Sequence, residues 1–260
     1  MSCHIKKEKD IVYKEDLHQR DGLLDVYYPR DQKELKDVLV FIHGGSWNSG
    51  NKNIYWWLGR NFARKGIVTV IINYPLAPEN SYDVMANYNA FAVKWVKEHA
   101  GNYGGNPERI YLMGHSAGAH LAALVSLDED FFKSTGIENP VKGVVLNDAF
   151  GLDMFQYLTN NYSQPKPYRK VFTDNPAIWK QASPYYHIKS SEVPFSIYVG
   201  EKTYDTIKMQ SVIFKDKLVQ HGIQADLRTI KNKKHIGMIT QLFLGWNKRY
   251  QEIIGFMRQN

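Results

Sequence analysis

The stretch RIYLMGHSAGAHLAALVSL, Arg109 to Leu127, places Ser116 between two glycines at a change of sequence pattern. The residues before the glycines are apolar and suit a buried strand, whereas Ala117 to Leu127 suit a helix. A turn this abrupt forces the serine into a strained conformation, and side chains at Gly114 or Gly118 would clash with the neighbouring strand and helix. Ser116 is therefore predicted to project from the top of a sheet at a helix N-terminus, where free N–H groups favour developing negative charge.

A serine nucleophile also needs groups that hold the negative charge on the carbonyl oxygen of a substrate. The stretch VFIHGGSW has a glycine pair directly after another apolar run. We expect the backbone amides of Gly45 and Ser46 to join that of Ala117 in an oxyanion hole, because glycine lets the main chain approach a substrate closely. A tight turn alone would also explain two glycines, but both motifs stand in the expected order.

The proton of the serine must pass to a histidine, and the chain has nine of them. His235 is favoured because it lies in a loop after the last candidate strand, which agrees with the chain order serine, acid, histidine. His43 and His115 lie inside the two motifs and more simply shape them, and His120 falls within the helix after the serine. No metal site is expected, because the histidines show no metal-ligand spacing.

The acid that orients the histidine is expected in the loop after the seventh candidate strand, VGEKTYDTIKMQS. Asp205 is preferred there, although helix capping is an alternative explanation of an aspartate directly before a helix. Glu201 lies closer to the strand end. Asp148 and Asp153 follow the sixth candidate strand and remain further alternatives.

Eight apolar runs are candidate strands: DIVYKED, GLLDVYYP, DVLVFIHGG, GIVTVIINY, RIYLMGHS, GVVLND, PFSIYVG and ADLRTI. From the third run onward they alternate with helical patterns at 54–64, 81–100, 117–127, 206–221 and 239–258. Alternation of this kind predicts a parallel sheet with helices on both faces. The first two runs are separated by turn residues and predict an antiparallel start.

The chain has 260 residues, of which 43% are hydrophobic, and this size fits one α/β domain over residues 1–260. No repeat or low-complexity segment is visible. Residues 153–184 include a proline-rich, weakly periodic stretch with apolar anchors. They are interpreted as an insertion over the sheet edge, for which a cap or lid over the site and simple surface packing are equal alternatives.

The net charge of +7 is spread along the chain, so solubility explains it better than nucleic-acid binding, for which no recognition motif is present. The single cysteine excludes an intrachain disulfide. No secretory signal and no run long enough to span a membrane is found, so a soluble, cytoplasmic protein without a membrane partner is expected. The run KNKK before His235 either forms a solvated basic loop or attracts anionic substrates.

These motifs together resemble the α/β-hydrolase superfamily, and in particular its hormone-sensitive-lipase-like carboxylesterases and its arylformamidase (kynurenine formamidase) branch. The resemblance also includes NYPLAPE and ASPYYHI and extends from about LLDVYYP to His235. It implies an α/β-hydrolase fold of eight mostly parallel strands, a triad of Ser116, Asp205 and His235, and no cofactor. The form HGGSW, with Ser46 in place of a third glycine, resembles the arylformamidases and small acyl esterases.

The function predicted from the sequence is a serine hydrolase that cleaves small acyl esters through an acyl-enzyme. An arylformamidase acting on N-formylkynurenine-like formamides is the alternative within the same chemistry, and a non-catalytic receptor on the same fold is a rival from another class. The partner is a small acyl substrate, and a homodimer is left open. Trp47, Trp56 and Tyr74 are expected to line the pocket, although aromatic residues at helical spacing more often face the core.

Overall fold

The protein is described by a computed structural model over residues 5–15, 20–31, 33–161, 168–189 and 193–260. Eight strands form one sheet in the order β1-β2-β4-β3-β5-β6-β7-β8. Their bounds are β1 Ile5–Val12, β2 Leu23–Pro29, β3 Lys36–Ile42, β4 Val68–Ile72, β5 Gly105–His115, β6 Val141–Asn147, β7 Phe195–Gly200 and β8 Ala225–Ile230. Strand β2 pairs antiparallel with both β1 and β4, and the remaining pairs are parallel. The predicted mostly parallel sheet with an antiparallel start is confirmed.

The first strand lies earlier in the chain than its apolar run predicts. Its residues IKKEKDIV are mostly exposed, because β1 is the edge of the sheet and one of its faces meets solvent. A charged edge strand resists pairing with other chains but carries no apolar signal. The pairing with β2 is irregular between Glu8 and Ile11, where Asp10 has a positive φ of 57°.

Ten α-helices are found in the described parts of the chain: α1 Trp56–Ala63, α2 Tyr82–His99, α3 Ala117–Leu127, α4 Asp130–Thr135, α5 Met154–Asn160, α6 Arg169–Phe172, α7 Pro176–Gln181, α8 Asp205–Gln220, α9 His235–Thr240 and α10 Arg249–Gln259. No described helix combines the length and the apolar character needed to cross a bilayer. Helices α5 to α7 fall within residues 153–184, the range predicted as an insertion, of which residues 162–167 lie outside the described part.

The sheet is buried on both faces because alternate strand residues enter different apolar clusters. Val40 and Ile42 of β3 pack with residues of α2 and α3 in one cluster. Leu39 and Phe41 pack on the opposite face, against α1 and α10. Continuous apolar runs such as VLVFI are therefore explained by coverage on both sides.

The prediction of one helix over 239–258 is wrong. The chain forms α9, a short 3₁₀ turn at Gln241–Phe243 and then α10. Asn61 of α1 donates through Nδ2 to the carbonyl oxygens of Leu242 and Phe243, both at 3.3 Å, and a side chain at Gly245 would meet Asn61. These contacts satisfy backbone groups that a continuous helix would use internally.

Candidate active site

Ser116 occupies the abrupt turn between β5 and α3 that its neighbours predict. Its backbone has φ 55° and ψ −122°, a combination that non-glycine residues rarely adopt. The amide of Ser116 donates to the carbonyl oxygen of Asn147 in the adjacent strand β6 (3.2 Å). This contact ties the strained turn to the sheet and holds the Ser116 hydroxyl above the carboxyl ends of the strands.

The two glycines beside the serine are required by close backbone contact. A Cβ at Gly114 would overlap the carbonyl group of Gly118, and one at Gly118 would overlap the carbonyl oxygens of Ile42 and His43. Helix α3 can therefore begin directly above β5 only because neither glycine carries a side chain. The packing reason that the sequence suggested for this pair agrees with these overlaps.

Ser116, His235 and Asp148 form a continuous hydrogen-bonded chain. The Ser116 Oγ lies 2.8 Å from His235 Nε2, and His235 Nδ1 lies 2.7 Å from Asp148 Oδ2. Because a carboxylate only accepts hydrogen bonds, Nδ1 carries the proton and Nε2 is left to accept from the serine hydroxyl. The arrangement can remove a proton from Ser116 and return it to a leaving group.

Asp148 is fully buried, directly after β6. Its Oδ1 accepts from the amide of Gly200 (2.7 Å), and its Oδ2 accepts from the Thr203 hydroxyl (2.5 Å) as well as from His235. Asp148 itself has a positive φ of 54°, which turns its side chain back over the end of the sheet. These three contacts hold the carboxylate in one orientation.

The structure corrects the position predicted for the acid. Asp205 is the first residue of α8, and its side chain is 97% exposed and paired with Lys208 Nζ at 2.6 Å. The helix turns this carboxylate into solvent, away from His235. The carboxylate beside the histidine belongs to Asp148, an alternative that the sequence left open.

The other two acidic alternatives have different partners. Glu201 Oε2 accepts from the amide of Asn232 (2.7 Å) and so joins the loops after β7 and β8. Asp153 caps α5 by accepting from the amide of Gln156 (2.8 Å). Burial is the main cause that raises the pKa of Asp153 above its ordinary value. Among the described residues, neither carboxylate forms a hydrogen bond or an ion pair with His235.

The loop after β3 carries the strain expected of a close-approach turn. Gly45, Ser46 and Trp47 have φ values of 130°, 51° and 60°. The carbonyl oxygen of Gly45 accepts from the amides of Asn48 and Ser49 (3.1 and 3.0 Å), which closes the turn and directs the carbonyl away from the site. Among the described residues, no protein acceptor is recorded for the amides of Gly45, Ser46 and Ala117. They remain candidates for holding an oxyanion beside Ser116, as the sequence predicts.

Buried neutral histidines support the site from behind. Desolvation lowers the pKa of His115 to about 4, so the ring is neutral at ordinary pH and its Nε2–H can donate to the backbone oxygen of His235 (3.2 Å). Desolvation likewise lowers the pKa of His43 to about 4. His43 stacks on Tyr74 with ring centroids 4.4 Å apart, and the Tyr74 hydroxyl donates to the His43 carbonyl (2.8 Å).

Trp47 and His120 connect the loop after β3 to the end of α7. The Trp47 indole donates through Nε1 to His120 Nδ1 (3.2 Å), so the proton on His120 is at Nε2, which donates to the carbonyl oxygen of Ala182 (2.7 Å). Desolvation lowers the pKa of His120 to about 4, which agrees with a neutral ring. Two hydrogen bonds thus join the loop, α3 and the end of α7 in fixed positions.

Two cavities meet at Ser116 and His235. The larger has a volume of about 970 Å³ and walls that are mainly apolar, including Ile54, Tyr55, Trp57, Ile236, Ile239, Phe243 and Leu244. The smaller has about 320 Å³ and is lined by Ser46, Trp47, Phe150, Tyr157, Tyr168, Tyr204 and Thr206 together with the serine and histidine. Tyr157 of α5 and Tyr168, directly before α6, lie at the edge of the smaller cavity.

The predicted pocket residues have different positions. Trp47 lines the smaller cavity. Trp56 is not among the lining residues of either cavity, and its neighbour Trp57 lines the larger one. Tyr74 is buried behind the loop and holds His43 instead of facing a cavity. The sequence did not indicate Phe243 and Leu244, because they reach the cavity only through the break between α9 and α10.

Comparisons with known proteins agree with this architecture. The family model described as BD-FAE matches residues 24–218. A probable isoprenylcysteine α-carbonyl methylesterase of Oryza sativa is 30% identical over 95% of this chain and 61% of its own length. The chain thus spans less than two thirds of that plant relative.

A curated relative and a solved structure are also similar to this chain. Kynurenine formamidase of Salmo salar is 28% identical over 85% of this chain and 73% of its own. The structure of esterase B from Lactobacillus rhamnosis, inhibited by a tributyrin phosphonate, superposes with a TM-score of 0.83 at 17% identity. That superposition covers 98% of this chain and 85% of the other.

Proposed function

Since the chain belongs to the BD-FAE family, we propose that it is a serine-dependent carboxylic ester hydrolase. The observation that supports this most directly is the hydrogen-bonded chain from Ser116 through His235 to Asp148, which opens onto two cavities. An intact chain of this kind argues against a receptor that has lost its catalytic groups.

In the proposed reaction, Ser116 Oγ attacks the carbonyl carbon of the ester while its proton passes to His235 Nε2. Asp148 stabilises the resulting imidazolium through Nδ1. The amides of Gly45, Ser46 and Ala117 hold the oxyanion of the tetrahedral intermediate. Collapse of this intermediate breaks the bond to the alcohol oxygen, which takes the proton from Nε2 and leaves an acyl-enzyme.

Water completes the reaction by the same steps. His235 Nε2 removes a proton from the water as its oxygen attacks the acyl carbon. The second tetrahedral intermediate then expels Ser116 Oγ, which recovers the proton. We propose that the insertion of residues 153–184 caps this site, because Tyr157 and Tyr168 line the smaller cavity.

Formamide hydrolysis is a second candidate, supported by the formamidase relative and by the aromatic lining of the smaller cavity. The triad does not distinguish ester from amide, because His235 can protonate either an oxygen or a nitrogen leaving group. The two substrates therefore have to be compared directly.

The test is hydrolysis of p-nitrophenyl acetate, butyrate and octanoate, with N-formylkynurenine in parallel, by the wild type and by Ser116→Ala. We expect turnover of the esters by the wild type and a loss of several orders of magnitude in the alanine variant. A higher kcat/KM for N-formylkynurenine would favour the formamide. Equal rates from the two proteins would show that Ser116 is not the nucleophile.

A further inference from the structure

The mouth of the larger cavity is surrounded by exposed apolar side chains. Ile236, Phe243 and Leu244 line this cavity and are also 64%, 56% and 44% exposed. Trp246, two residues beyond Leu244, is 81% exposed. We call these four residues the cavity rim. Single exposed apolar residues are ordinary, but a group at the entrance of a cavity marks an interaction surface.

A cluster of cations adjoins the cavity rim. Lys231, Lys233, Lys248 and Arg249 line a separate cavity of about 610 Å³, which shares Leu244 with the larger cavity and also includes Trp246. Arg249 is paired with Glu252 at 2.6 Å. For the three lysines, no carboxylate within ion-pair distance is recorded in the described parts of the chain. Their charge is therefore available to a partner.

The rim and the lysines together restrict the chemistry of that partner. A soluble anion would account for the lysines but leave the apolar rim in water. A neutral apolar molecule would cover the rim but leave the lysines without counter-charge. An anionic lipid surface satisfies both, because its headgroups attract lysine and its interfacial region accepts tryptophan and aliphatic side chains.

We propose that the cavity rim and Lys231, Lys233 and Lys248 dock the protein on an anionic lipid surface, with the larger cavity facing the lipid. This inference rests on the proposed function and defines its substrate class as apolar esters taken from a membrane. The expectation of no membrane partner rested on the lack of a spanning segment, which peripheral docking does not require.

The test is co-sedimentation of the protein with vesicles of phosphatidylcholine alone and of equal parts phosphatidylcholine and phosphatidylglycerol. We expect binding to the anionic vesicles that weakens with added salt. Replacement of Lys231 and Lys248 by glutamine should lower the partition coefficient by roughly fivefold for each lysine. Trp246→Ser should lower it by about tenfold, since its ring leaves the interface.

Matched substitutions away from the cavity provide the control. Lys7→Gln, Lys33→Gln and Val219→Ser change two exposed lysines and an exposed apolar side chain and should leave partitioning within about twofold of the wild type, because surface changes of this kind have small effects. The Lys231, Lys248 and Trp246 variants should hydrolyse soluble p-nitrophenyl acetate at the wild-type rate and lose activity on a long-chain p-nitrophenyl ester held in anionic vesicles.

The outcomes separate the two proposals. Normal hydrolysis of the soluble ester without vesicle binding would overturn lipid docking and leave the hydrolase intact. Equal vesicle binding by the control variants and by the Lys231, Lys248 and Trp246 variants would have the same meaning. Binding abolished by inorganic phosphate at constant ionic strength would assign the lysines to a soluble anion and also overturn it. Vesicle binding by a protein without soluble esterase activity would reject the proposed function instead.

Discussion

Replacement of Asp148 by asparagine should disable the site while leaving the fold in place. In the wild type, Asp148 Oδ1 accepts from the Gly200 amide and Oδ2 accepts from Thr203 and His235. The Gly200 amide can only donate, so the oxygen of an asparagine must remain there and its NH₂ group must take the Oδ2 position. His235 Nδ1 then has to accept, which moves the imidazole proton to Nε2.

A proton at Nε2 faces the hydroxyl that the histidine should deprotonate. Ser116 then lacks a base, although every side chain keeps its size and place. The same change of tautomer in a serine-protease triad lowers kcat roughly ten-thousand-fold, which corresponds to about 5 kcal/mol of activation free energy. We expect a loss of this order for Asp148→Asn with p-nitrophenyl acetate.

The matched control is Asp205→Asn, which makes the same substitution at an aspartate that is exposed and paired with Lys208. We expect its kcat/KM to remain within about twofold of the wild type, as for most surface changes. Both variants should show the wild-type circular dichroism spectrum, and Thr203 can rotate its hydroxyl to accept from the new amide. A thousandfold loss in Asp205→Asn with activity retained in Asp148→Asn would refute the assignment.

Two further predictions concern stability. Gly118→Ala should lower the free energy of unfolding by at least about 2 kcal/mol, because the new Cβ overlaps the Ile42 carbonyl. In the control Gly101→Ala the new Cβ meets no atom within 4 Å, so the free energy of unfolding should change by less than about 1 kcal/mol. Equal urea midpoints for the two variants would contradict the packing argument. Three histidines are fully buried and have their pKa lowered to about 4 by desolvation: His43, His115 and His120. A histidine of the unfolded chain takes up its proton near pH 6.5, whereas the buried rings do so only near pH 4. The contribution of the three neutral rings to the free energy of unfolding is therefore complete above pH 6.5 and is lost as the pH falls toward 4. Urea unfolding at pH 8 and pH 5 should show a decrease of up to about 2 kcal/mol for each histidine, and no decrease would show that the rings accept protons in the folded state.

The strands and the turn at Ser116 were predicted from the sequence because each depends on residues that are adjacent in the chain. All eight strands of the described sheet coincide with or overlap the predicted runs. In the central parallel strands β3 to β7 this follows from the continuous apolar residues that coverage on both faces needs. The turn at Ser116 is equally local, since Gly114 and Gly118 make the contacts that permit it. The edge strand β1 begins earlier in the chain than predicted, because its exposed residues carry no apolar pattern.

The break in the last helix and the pocket walls depend on residues distant in sequence. Asn61 of α1 holds the carbonyl oxygens of Leu242 and Phe243, and no pattern within 239–258 reveals that contact. Tyr74 was predicted to face the substrate and instead supports His43 from behind. Helical or strand spacing defines a buried face but does not show whether that face meets a cavity or the core.

The sequence by itself determined the succession of the eight strands along the chain, the turn at Ser116 and the segment after β8 in which His235 begins α9, because adjacent residues set each of them. Only the tertiary structure decided which carboxylate meets His235. Asp148 and Asp205 both follow strands whose carboxyl ends lie side by side, so chain order allowed either one. The choice depends on the positive φ of Asp148 and on the donors from Gly200 and Thr203, which converge only after β6 and β7 have paired.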